Sequence, residues 1–215
     1  MKVAIDGPAG SGKSTVAREV SKRLGIPYLN TGLVYRAFAY ACLKESLKGE
    51  EVLKLFEKPP EVITDIGETK VFYKGQEISG LLSSEEVGKV ASQIASLPAF
   101  RERINSFFRA LVGDSQVVAE GRDAGTHIFP DAPIKIFLTA SPEERARRRY
   151  EQLKAQGLSV SYEEVLRAVI ERDERDKNRP QYPFKPAEDA VVIDATDLSV
   201  EEVVQKVLSL IKERV

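Results

Sequence analysis

The sequence contains no tryptophan and only one residue each of cysteine, histidine and methionine among its 215 residues. A single cysteine, Cys42, excludes a disulfide within the chain and is typical of a reducing compartment. The lone histidine, His127, has no second histidine or cysteine near it that would complete a metal site. We therefore expect His127 to be structural and Cys42 to be a small core residue.

Long apolar runs and an excess of charge are also missing. No apolar stretch approaches the ~20 residues that a membrane-spanning helix needs. Lysine and arginine together number 32, against 33 aspartate and glutamate residues, which does not favour binding to nucleic acid. Because an apolar strand pattern starts the chain, no signal peptide is expected either. These absences predict a cytoplasmic protein without a membrane or nucleic-acid partner, and, since no heptad seam occurs, a monomer.

A glycine-rich stretch near the N-terminus matches the phosphate-binding pattern Gly-x-x-x-x-Gly-Lys-Ser/Thr. An apolar run at residues 2–6 precedes it and apolar residues at helical spacing follow it, which is the context this loop requires. Its glycines let backbone N–H groups approach phosphate oxygens, Lys13 supplies charge for the β and γ phosphates, and the Ser14 hydroxyl can bind Mg²⁺. The predicted ATP-binding residues are Gly7, Pro8, Ala9, Gly10, Ser11, Gly12, Lys13, Ser14 and Thr15.

The rest of the chain alternates short apolar runs with helical patterns. This alternation predicts an α/β fold in which helices wrap a parallel sheet, with strands at 2–6, 28–29, 116–119, 134–138 and 191–194. Residues 58–82 break the pattern and predict a small antiparallel insert of three strands. Helices are expected at about 33–46, from Pro98 to Gly113, and after four serines that precede acidic first turns. Those serines are Ser83, Ser141, Ser161 and Ser199.

Four polar clusters fall where such a sheet places the loops at its carboxyl edge, which is where ligands bind. They are Thr31 to Arg36, Glu120 to Asp123, the arginines between 145 and 149, and the set Arg172, Asp176 and Arg179. Taken alone, the first cluster is better explained as a plain helix cap, and the others are also consistent with a surface ion pair or a solvated helix face. A nucleic-acid patch on the arginine-rich helix is also possible, although the near-neutral charge argues against it.

Taken together, the clusters resemble the bacterial cytidylate kinase family over nearly the whole chain. The resemblance depends on the phosphate-binding loop, the β-rich insert and five further segments. These are Thr31-Gly-x-x-Tyr35-Arg36, Ala91-Ser92-Gln93, Gly121-Arg122-Asp123-x-Gly125-Thr126, Phe129-Pro130-Asp131-Ala132 and Arg172-Asp173-Glu174-Arg175-Asp176-x-Asn178-Arg179.

The resemblance implies a nucleoside monophosphate kinase that uses ATP and Mg²⁺ to convert CMP to CDP and dCMP to dCDP. It also implies one kinase domain in three parts: a core at about 1–30, 114–145 and 180–215, a CMP-binding region at about 31–113, and a lid at about 146–160. The lid carries Arg147, Arg148 and Arg149. Asn30 and Glu120 depart from the aspartates that are usual in the family, which concerns details of the site and not the activity.

The resemblance further implies a role for each site residue. Ser92, Arg101 and Asp123 would face the cytosine, and Arg172 and Asp176 the ribose. Thr31, Arg36, Arg122 and Arg179 would hold the acceptor phosphate, with Tyr35 packing nearby. The residues implied in catalysis are Lys13, Arg122, Arg147, Arg172 and Arg179.

Two other functions stay open from the sequence. Another small-molecule kinase of the same fold would share the phosphate-binding loop and the lid arginines. A GTP-binding switch would share the loop but lacks support, because no guanine-reading Asn-Lys-x-Asp segment occurs in the chain.

Overall fold

The computed structural model describes residues 1–215 and contains a five-stranded parallel sheet and a three-stranded antiparallel sheet. The strands are β1 (Lys2–Asp6), β2 (Tyr28–Asn30), β3 (Glu61–Asp65), β4 (Glu68–Tyr73), β5 (Gln76–Glu77), β6 (Val117–Gly121), β7 (Ile134–Thr139) and β8 (Val191–Asp194). The α-helices are α1 (Lys13–Leu24), α2 (Thr31–Lys44), α3 (Glu85–Ala95), α4 (Pro98–Val112), α5 (Pro142–Ala155), α6 (Tyr162–Lys177) and α7 (Val200–Arg214). Two 3-10 helices (Gly49–Phe56 and Ser79–Leu81) and one π-helix (Ala124–Ile128) complete the fold.

The large sheet has the strand order β2-β6-β1-β7-β8, and every pair in it is parallel. This confirms the predicted α/β class. Because the strands are parallel, their carboxyl ends meet at one edge, where Asp6, Asn30 and Gly121 lie side by side. The phosphate-binding loop leaves the sheet at that edge, directly after β1.

The two faces of the sheet bury separate apolar cores. On one face α1 and α7 cover the strands, with Val20 and Val207 fully buried. On the other face α2 and α4 form a larger core in which the rings of Phe38 and Phe100 meet edge to face at 5.5 Å. Such aromatic contacts fix the angle between helices as well as burying area. Cys42 is buried in this core, as predicted.

The antiparallel insert contains the three strands that the sequence predicts, β3, β4 and β5. One hydroxyl ties it to the edge of the large sheet: Thr69 Oγ1 donates to the Tyr28 carbonyl at 2.7 Å and accepts from the Asn30 N–H at 2.9 Å. Val71 of β4 is buried in the larger core. The insert is therefore packed onto the domain.

Most helix starts lie where the sequence predicts. Ser141, Ser161 and Ser199 each accept a hydrogen bond from the N–H three residues ahead. Ser83 was predicted to cap α3, and this is wrong by one residue. The chain leaves the preceding 3-10 helix in a direction that places Ser84 at the cap, where it accepts from the Val87 N–H. None of the helices combines the length and apolar character needed to span a bilayer.

The helix α2 begins at Thr31 and not near residue 33, because the Asn30 side chain accepts from the Leu33 N–H at 3.0 Å. Asn30 is therefore a helix cap, which is one of the commonest uses of asparagine. The π-helix after β6 was not predicted and is held by the Asp6 carboxylate, which accepts from its first two N–H groups.

Candidate active site

A cleft of about 720 Å³ lies at the carboxyl edge of the sheet. The phosphate-binding loop contributes one wall, α2 and α3 a second, and the segment after β6 a third. Most of the side chains that the sequence proposed for nucleotide binding line it. They are Ala9, Lys13, Ser14, Thr31, Tyr35, Arg36, Ser92, Arg101, Arg122, Asp123, Arg172 and Arg179.

The phosphate-binding loop delivers the N-terminus of α1 to the cleft. Gly12 precedes the helix in the left-handed region at φ 88°, a conformation that residues with a side chain rarely adopt. Lys13 follows, and its Nζ makes only one long contact, 3.5 Å to the Pro8 carbonyl. Burial lowers the pKa of Lys13, Glu120 opposes that change, and the nearby charge of Arg122 adds to it. An anion at this position would supply the partner that the lysine lacks.

Glu120, at the end of β6, is buried beside the loop and anchors two hydroxyl groups. Ser14 Oγ donates to Glu120 Oε1 at 2.7 Å, and the Tyr28 hydroxyl donates to the same oxygen at 2.9 Å. Burial raises the pKa of Tyr28, and the Glu120 carboxylate raises it further, so the phenol stays protonated as a donor. Thr31 Oγ1 donates to the Glu120 backbone carbonyl at 2.8 Å, which ties α2 to the same strand end.

Arg101 and Asp123 form a buried ion pair deep in the cleft. Arg101 NH2 lies 2.7 Å from Asp123 Oδ2, and both side chains are less than a tenth exposed. Two polar atoms at this end of the cleft, Arg101 Nε and the Tyr35 hydroxyl, are buried without a hydrogen-bond partner. Unsatisfied polar atoms in a cavity indicate a site for a polar ligand. Ser92 lines the same cleft from α3.

Four arginines converge on the part of the cleft between this pair and the phosphate-binding loop. They are Arg36, Arg122, Arg172 and Arg179. Asp176 lies behind them, buried, and pairs with Arg122 and, at 2.9 Å, with Arg179. Asp176 does not line the cleft itself, and its carboxylate orients two of these arginines from behind.

The remaining cations of this group have no carboxylate. Arg36 donates to the Leu82 carbonyl at 2.7 Å, and burial lowers its pKa. Burial, together with the nearby charge of Arg122, lowers the pKa of Arg172 to about 10. A cleft with more guanidinium groups than carboxylates favours an anionic ligand such as a phosphate.

The arginine-rich helix α5 presents different residues from those expected. Arg149 lines the cleft. Arg147 does not: it is half exposed and pairs with Glu144 at 2.7 Å and Glu151 at 2.6 Å on the outer face. The structure therefore does not place Arg147 at the reacting groups, because the phase of the helix turns it away.

Two other residues of α5 contact the loop itself. Arg145 makes a two-armed ion pair with Asp173 and lies 3.4 Å from the Ala9 carbonyl. Arg148 NH1 lies 3.3 Å from the Ser11 carbonyl. These contacts link α5 and α6 to the phosphate-binding loop.

The sequence reasoning missed Asp6, the last residue of β1. Its two carboxylate oxygens accept from the Ala124 N–H at 2.9 Å and the Gly125 N–H at 2.8 Å, and this fixes the π-helix after Asp123. Burial raises the pKa of Asp6 to about 7, and the two backbone hydrogen bonds act in the opposite direction. A carboxylate that ends a buried strand directly before the loop is a signal that could have identified it.

Residues 3–213 match the cytidylate kinase family model. A cytidylate kinase of Aquifex aeolicus is 59% identical over 215 residues, which cover 100% of this chain and 97% of that protein. A cytidylate kinase of Thermotoga neapolitana is 45% identical over 214 residues, covering 99% and 97%. Among solved structures, an uncharacterized protein from Eubacterium ventriosum aligns with a TM-score of 0.53 at 16% identity, covering 100% of this chain and 99% of that one. A shikimate kinase from Bacteroides thetaiotaomicron aligns with a TM-score of 0.50 at 15% identity, covering 99% and 98%, and these two structures show the shared fold alone.

Proposed function

The chain belongs to the cytidylate kinase family, and we propose that it transfers the γ-phosphate of ATP to CMP and dCMP, giving CDP and dCDP. The observation that carries this proposal is the buried Arg101–Asp123 pair, which lies in the same cleft as Lys13 and a group of arginines. A base and its phosphate can thus be held in one cleft, with the acceptor phosphate turned towards the phosphate-binding loop.

The Arg101–Asp123 pair has the donors and acceptors that cytosine requires. A carboxylate accepts from the N4 amino group of cytosine, and a guanidinium donates to N3 and O2. Uracil presents an acceptor at O4 and a donor at N3, so the same pair would face mismatched groups while buried from water. We therefore propose that Asp123 and Arg101 read the base, with Ser92 beside them, and that Arg172 approaches the ribose while Asp176 orients its neighbours.

On this proposal, catalysis depends on positioning the two nucleotides and on electrostatic stabilisation of the transferred phosphoryl group. Phosphoryl transfer spreads negative charge over the equatorial oxygens of the transferred group. Lys13 and the N-terminus of α1 would hold the donor phosphates, and Arg36, Arg122 and Arg179 the acceptor phosphate, with Thr31 at the same strand end. No covalent intermediate with a side chain is required.

The residues at the loop fit a magnesium ion. The Ser14 hydroxyl and the Glu120 carboxylate lie 2.7 Å apart, and oxygen donors of these two kinds are those that Mg²⁺ prefers. We propose that Ser14 binds the ion directly and that Glu120 holds either Ser14 or the water around the ion. When bound, Mg²⁺ would neutralise charge on the β and γ phosphates of ATP.

We also propose the division into a core at about 1–30, 114–145 and 180–215, a CMP-binding region at about 31–113 and a lid at about 146–160. Support comes from the cleft, whose walls come from all three parts. A monomer in the cytoplasm, acting on small molecules and not on nucleic acid, fits the single cysteine and the near-zero net charge.

A steady-state assay of CMP, dCMP, UMP and AMP with ATP tests the proposal. We expect kcat/KM for CMP to exceed that for UMP by about a hundredfold, because the mismatched base leaves buried polar groups unpaired. Equal or faster use of UMP or AMP would contradict the cytosine assignment.

Asp123→Asn then tests the residue that reads the base. An amide can donate to the O4 of uracil, so the preference for CMP over UMP should fall by about tenfold or more while KM for ATP stays unchanged. Asp114→Asn, a substitution at an exposed aspartate in the turn after α4, is the matched control and should change neither value. A preserved preference in Asp123→Asn would show that Asp123 does not read the base.

A further inference from the structure

The segment that follows α6 crosses the base-reading pair, and Tyr182 within it has an unusual backbone. Its φ is +55°, in the left-handed region, and it is one of only three residues other than glycine with a positive φ. The other two, Ser46 and Lys74, are exposed turn residues. Tyr182 also precedes Pro183, which restricts its backbone further. A bulky residue stays in such a conformation only where its surroundings hold it there, and such sites are often functional.

The Tyr182 ring is held by Arg101, which lines the cleft, and by His127, which lies outside it. It lies over the Arg101 guanidinium, whose central carbon is 4.9 Å from the ring centroid. It also meets the His127 ring at 4.7 Å between centroids, with the planes at 66°. The His127 N–H donates to the Asp123 carbonyl at 2.9 Å, so the histidine belongs to the same structural unit as the base-reading carboxylate.

The same segment is anchored on the phosphate side of the cleft. The Phe184 N–H donates to the Asp176 carbonyl at 3.0 Å, and the Phe184 ring lies 5.7 Å from the Arg122 guanidinium. A second aromatic contact, 5.3 Å to Phe137 of β7, ties the segment to the sheet. Residues 182–184 thus bridge the base-reading pair and the arginine cluster.

We propose that Tyr182 is a positioning residue for recognition of the base: it holds the Arg101 guanidinium in the plane set by Asp123 and excludes water from that pair, with His127 as its support. The proposal depends on the proposed function above, because it concerns the same pair. Arg101 has one further hydrogen bond besides Asp123, 3.2 Å to the Ala95 carbonyl, and its Nε has none. The aromatic face therefore supplies the restraint that hydrogen bonds do not. With water excluded, a mismatched base cannot recover its lost hydrogen bonds from solvent.

The first experiment compares Tyr182→Ala with Tyr182→Phe by measuring kcat and KM for CMP, UMP and ATP. In Tyr182→Ala we expect the preference for CMP over UMP to fall by about tenfold while KM for ATP changes less than about twofold. Tyr182→Phe keeps the aromatic face and should retain the preference within about threefold. The matched control is Tyr73→Ala, which removes another half-buried tyrosine, in the insert, and should not change the preference.

The second experiment tests the contact between Tyr182 and His127 in the absence of nucleotide. His127 is the only histidine, so its imidazole gives a single set of NMR signals to titrate. Burial lowers the pKa of His127; Asp123 raises it, and Arg101, Arg109 and Lys185 lower it. Tyr182→Ala should therefore move the His127 pKa up, towards the usual ~6.5, while Tyr182→Phe leaves it in place.

An unchanged CMP preference in Tyr182→Ala, or equal losses in Tyr182→Ala and Tyr182→Phe, would overturn the positioning role. A His127 pKa that does not move in Tyr182→Ala would overturn the contact on which the role depends. If the unaltered chain shows no preference for CMP, the proposed function fails and this inference fails with it. That result is distinguishable, because it is seen in the parent chain before any substitution.

Discussion

Two buried carboxylates end adjacent strands of the sheet and differ in the partners that hold them. Glu120 on β6 accepts from hydroxyl groups of Ser14 and Tyr28. Asp6 on β1 accepts from two backbone N–H groups of the π-helix. The first arrangement orients a residue of the phosphate-binding loop. The second fixes the backbone that follows Asp123, so its effect on the base-reading residue passes through main-chain geometry.

The ionisation of Asp6 should appear in the pH dependence of stability. Its pKa rises to about 7 in the folded protein from 3.8. Between these values the unfolded chain has lost the proton and the folded chain keeps it, so the free energy of unfolding should fall as the pH rises from about 4 to about 7. Above that range the contribution is flat. The loss amounts to a few kcal/mol at most.

Asp6→Asn removes the titrating group and tests this directly. Urea unfolding of both forms at intervals from about pH 4 to pH 8 gives curves of the free energy of unfolding against pH. The value for the parent chain should fall relative to that for Asp6→Asn as the pH rises to about 7, because only the parent chain loses stability through Asp6. The amide also alters one backbone hydrogen bond, but that offset does not depend on pH. Parallel curves over this range would show that Asp6 is ionised throughout in the folded protein.

At the scale of single residues, the sequence predicted the site residues whose positions follow from a local sequence pattern. Lys13 and Ser14 are placed by the loop that precedes a helix, and both line the cleft. Asp6 and Tyr182 were missed because their partners are distant in sequence: Asp6 binds residues 124–125, and Tyr182 covers Arg101. No spacing rule connects such positions before the fold is known.

At the scale of elements, α5 shows what a helix pattern can and cannot predict. Its start at Ser141 and its arginines were clear from the sequence, but the phase of the helix against the cleft was not. Arg145 and Arg149, one turn apart, share the inner side, and Arg147 lies on the outer side with Glu144 and Glu151. Tertiary contacts set this phase, among them the Arg145–Asp173 pair that joins α5 to α6 and the contact of Arg148 with the phosphate-binding loop.

Arg149 and Arg147 of α5 should therefore differ in how much activity is lost when each is replaced. We expect Arg149→Ala to lower kcat by about a hundredfold, since a cation facing the cleft can stabilise the transferred phosphoryl group. Arg147→Ala, its matched control on the same helix, should stay within about threefold, because exposed ion pairs contribute little. Steady-state kinetics with CMP and ATP measures both. A larger loss in Arg147→Ala would restore the original expectation for Arg147 and would require α5 to turn when nucleotide binds.

Helix starts and turns with local signals were predicted, and elements defined by tertiary contacts were not. The π-helix has no signal of its own, since Asp6 supplies the acceptors for its first N–H groups and the Asp123 carbonyl accepts from His127 and Ile128. The choice of Ser84 over Ser83 likewise depends on how the preceding 3-10 helix delivers the chain. The insert was predicted because its strands alternate and its turn residues are local.

At the scale of the whole molecule, a net charge of −1 conceals an uneven distribution. Several exposed glutamates pair with lysine or arginine on the outer surface, whereas the cleft collects guanidinium groups that exceed their carboxylate partners. Because the positive charge is concentrated in the cleft, it attracts a small anion there, while the rest of the surface does not favour binding to polyanions such as nucleic acid. It also means that the empty protein holds like charges together, which lowers the free energy of unfolding.

Arg172 is the residue at which this repulsion between like charges should be measurable. It lines the cleft without a carboxylate of its own, and the surrounding protein and then Arg122 lower its pKa to about 10. Because the side chain is open to solvent, screening limits the cost of its charge to about 1 kcal/mol or less. Arg172→Gln should therefore make the empty protein slightly more stable and should raise Tm by a few degrees at most, by about 2–4 °C per kcal/mol.

The same substitution should remove most of the stabilisation that CMP confers. At a concentration about 100 times its Kd, CMP should stabilise the parent chain by about 2.7 kcal/mol, whereas the same concentration should stabilise Arg172→Gln far less, because binding to the folded state is what shifts the equilibrium. Thermal unfolding with and without CMP measures both effects, and Arg167→Gln, at an exposed position of α6 outside the cleft, is the control that should alter neither. A variant that is less stable when empty would show that Arg172 supports the fold and is not held against repulsion. Full stabilisation by CMP in Arg172→Gln would exclude Arg172 from the nucleotide site, because a cation that touches the ligand cannot be replaced by a neutral amide without loss of affinity.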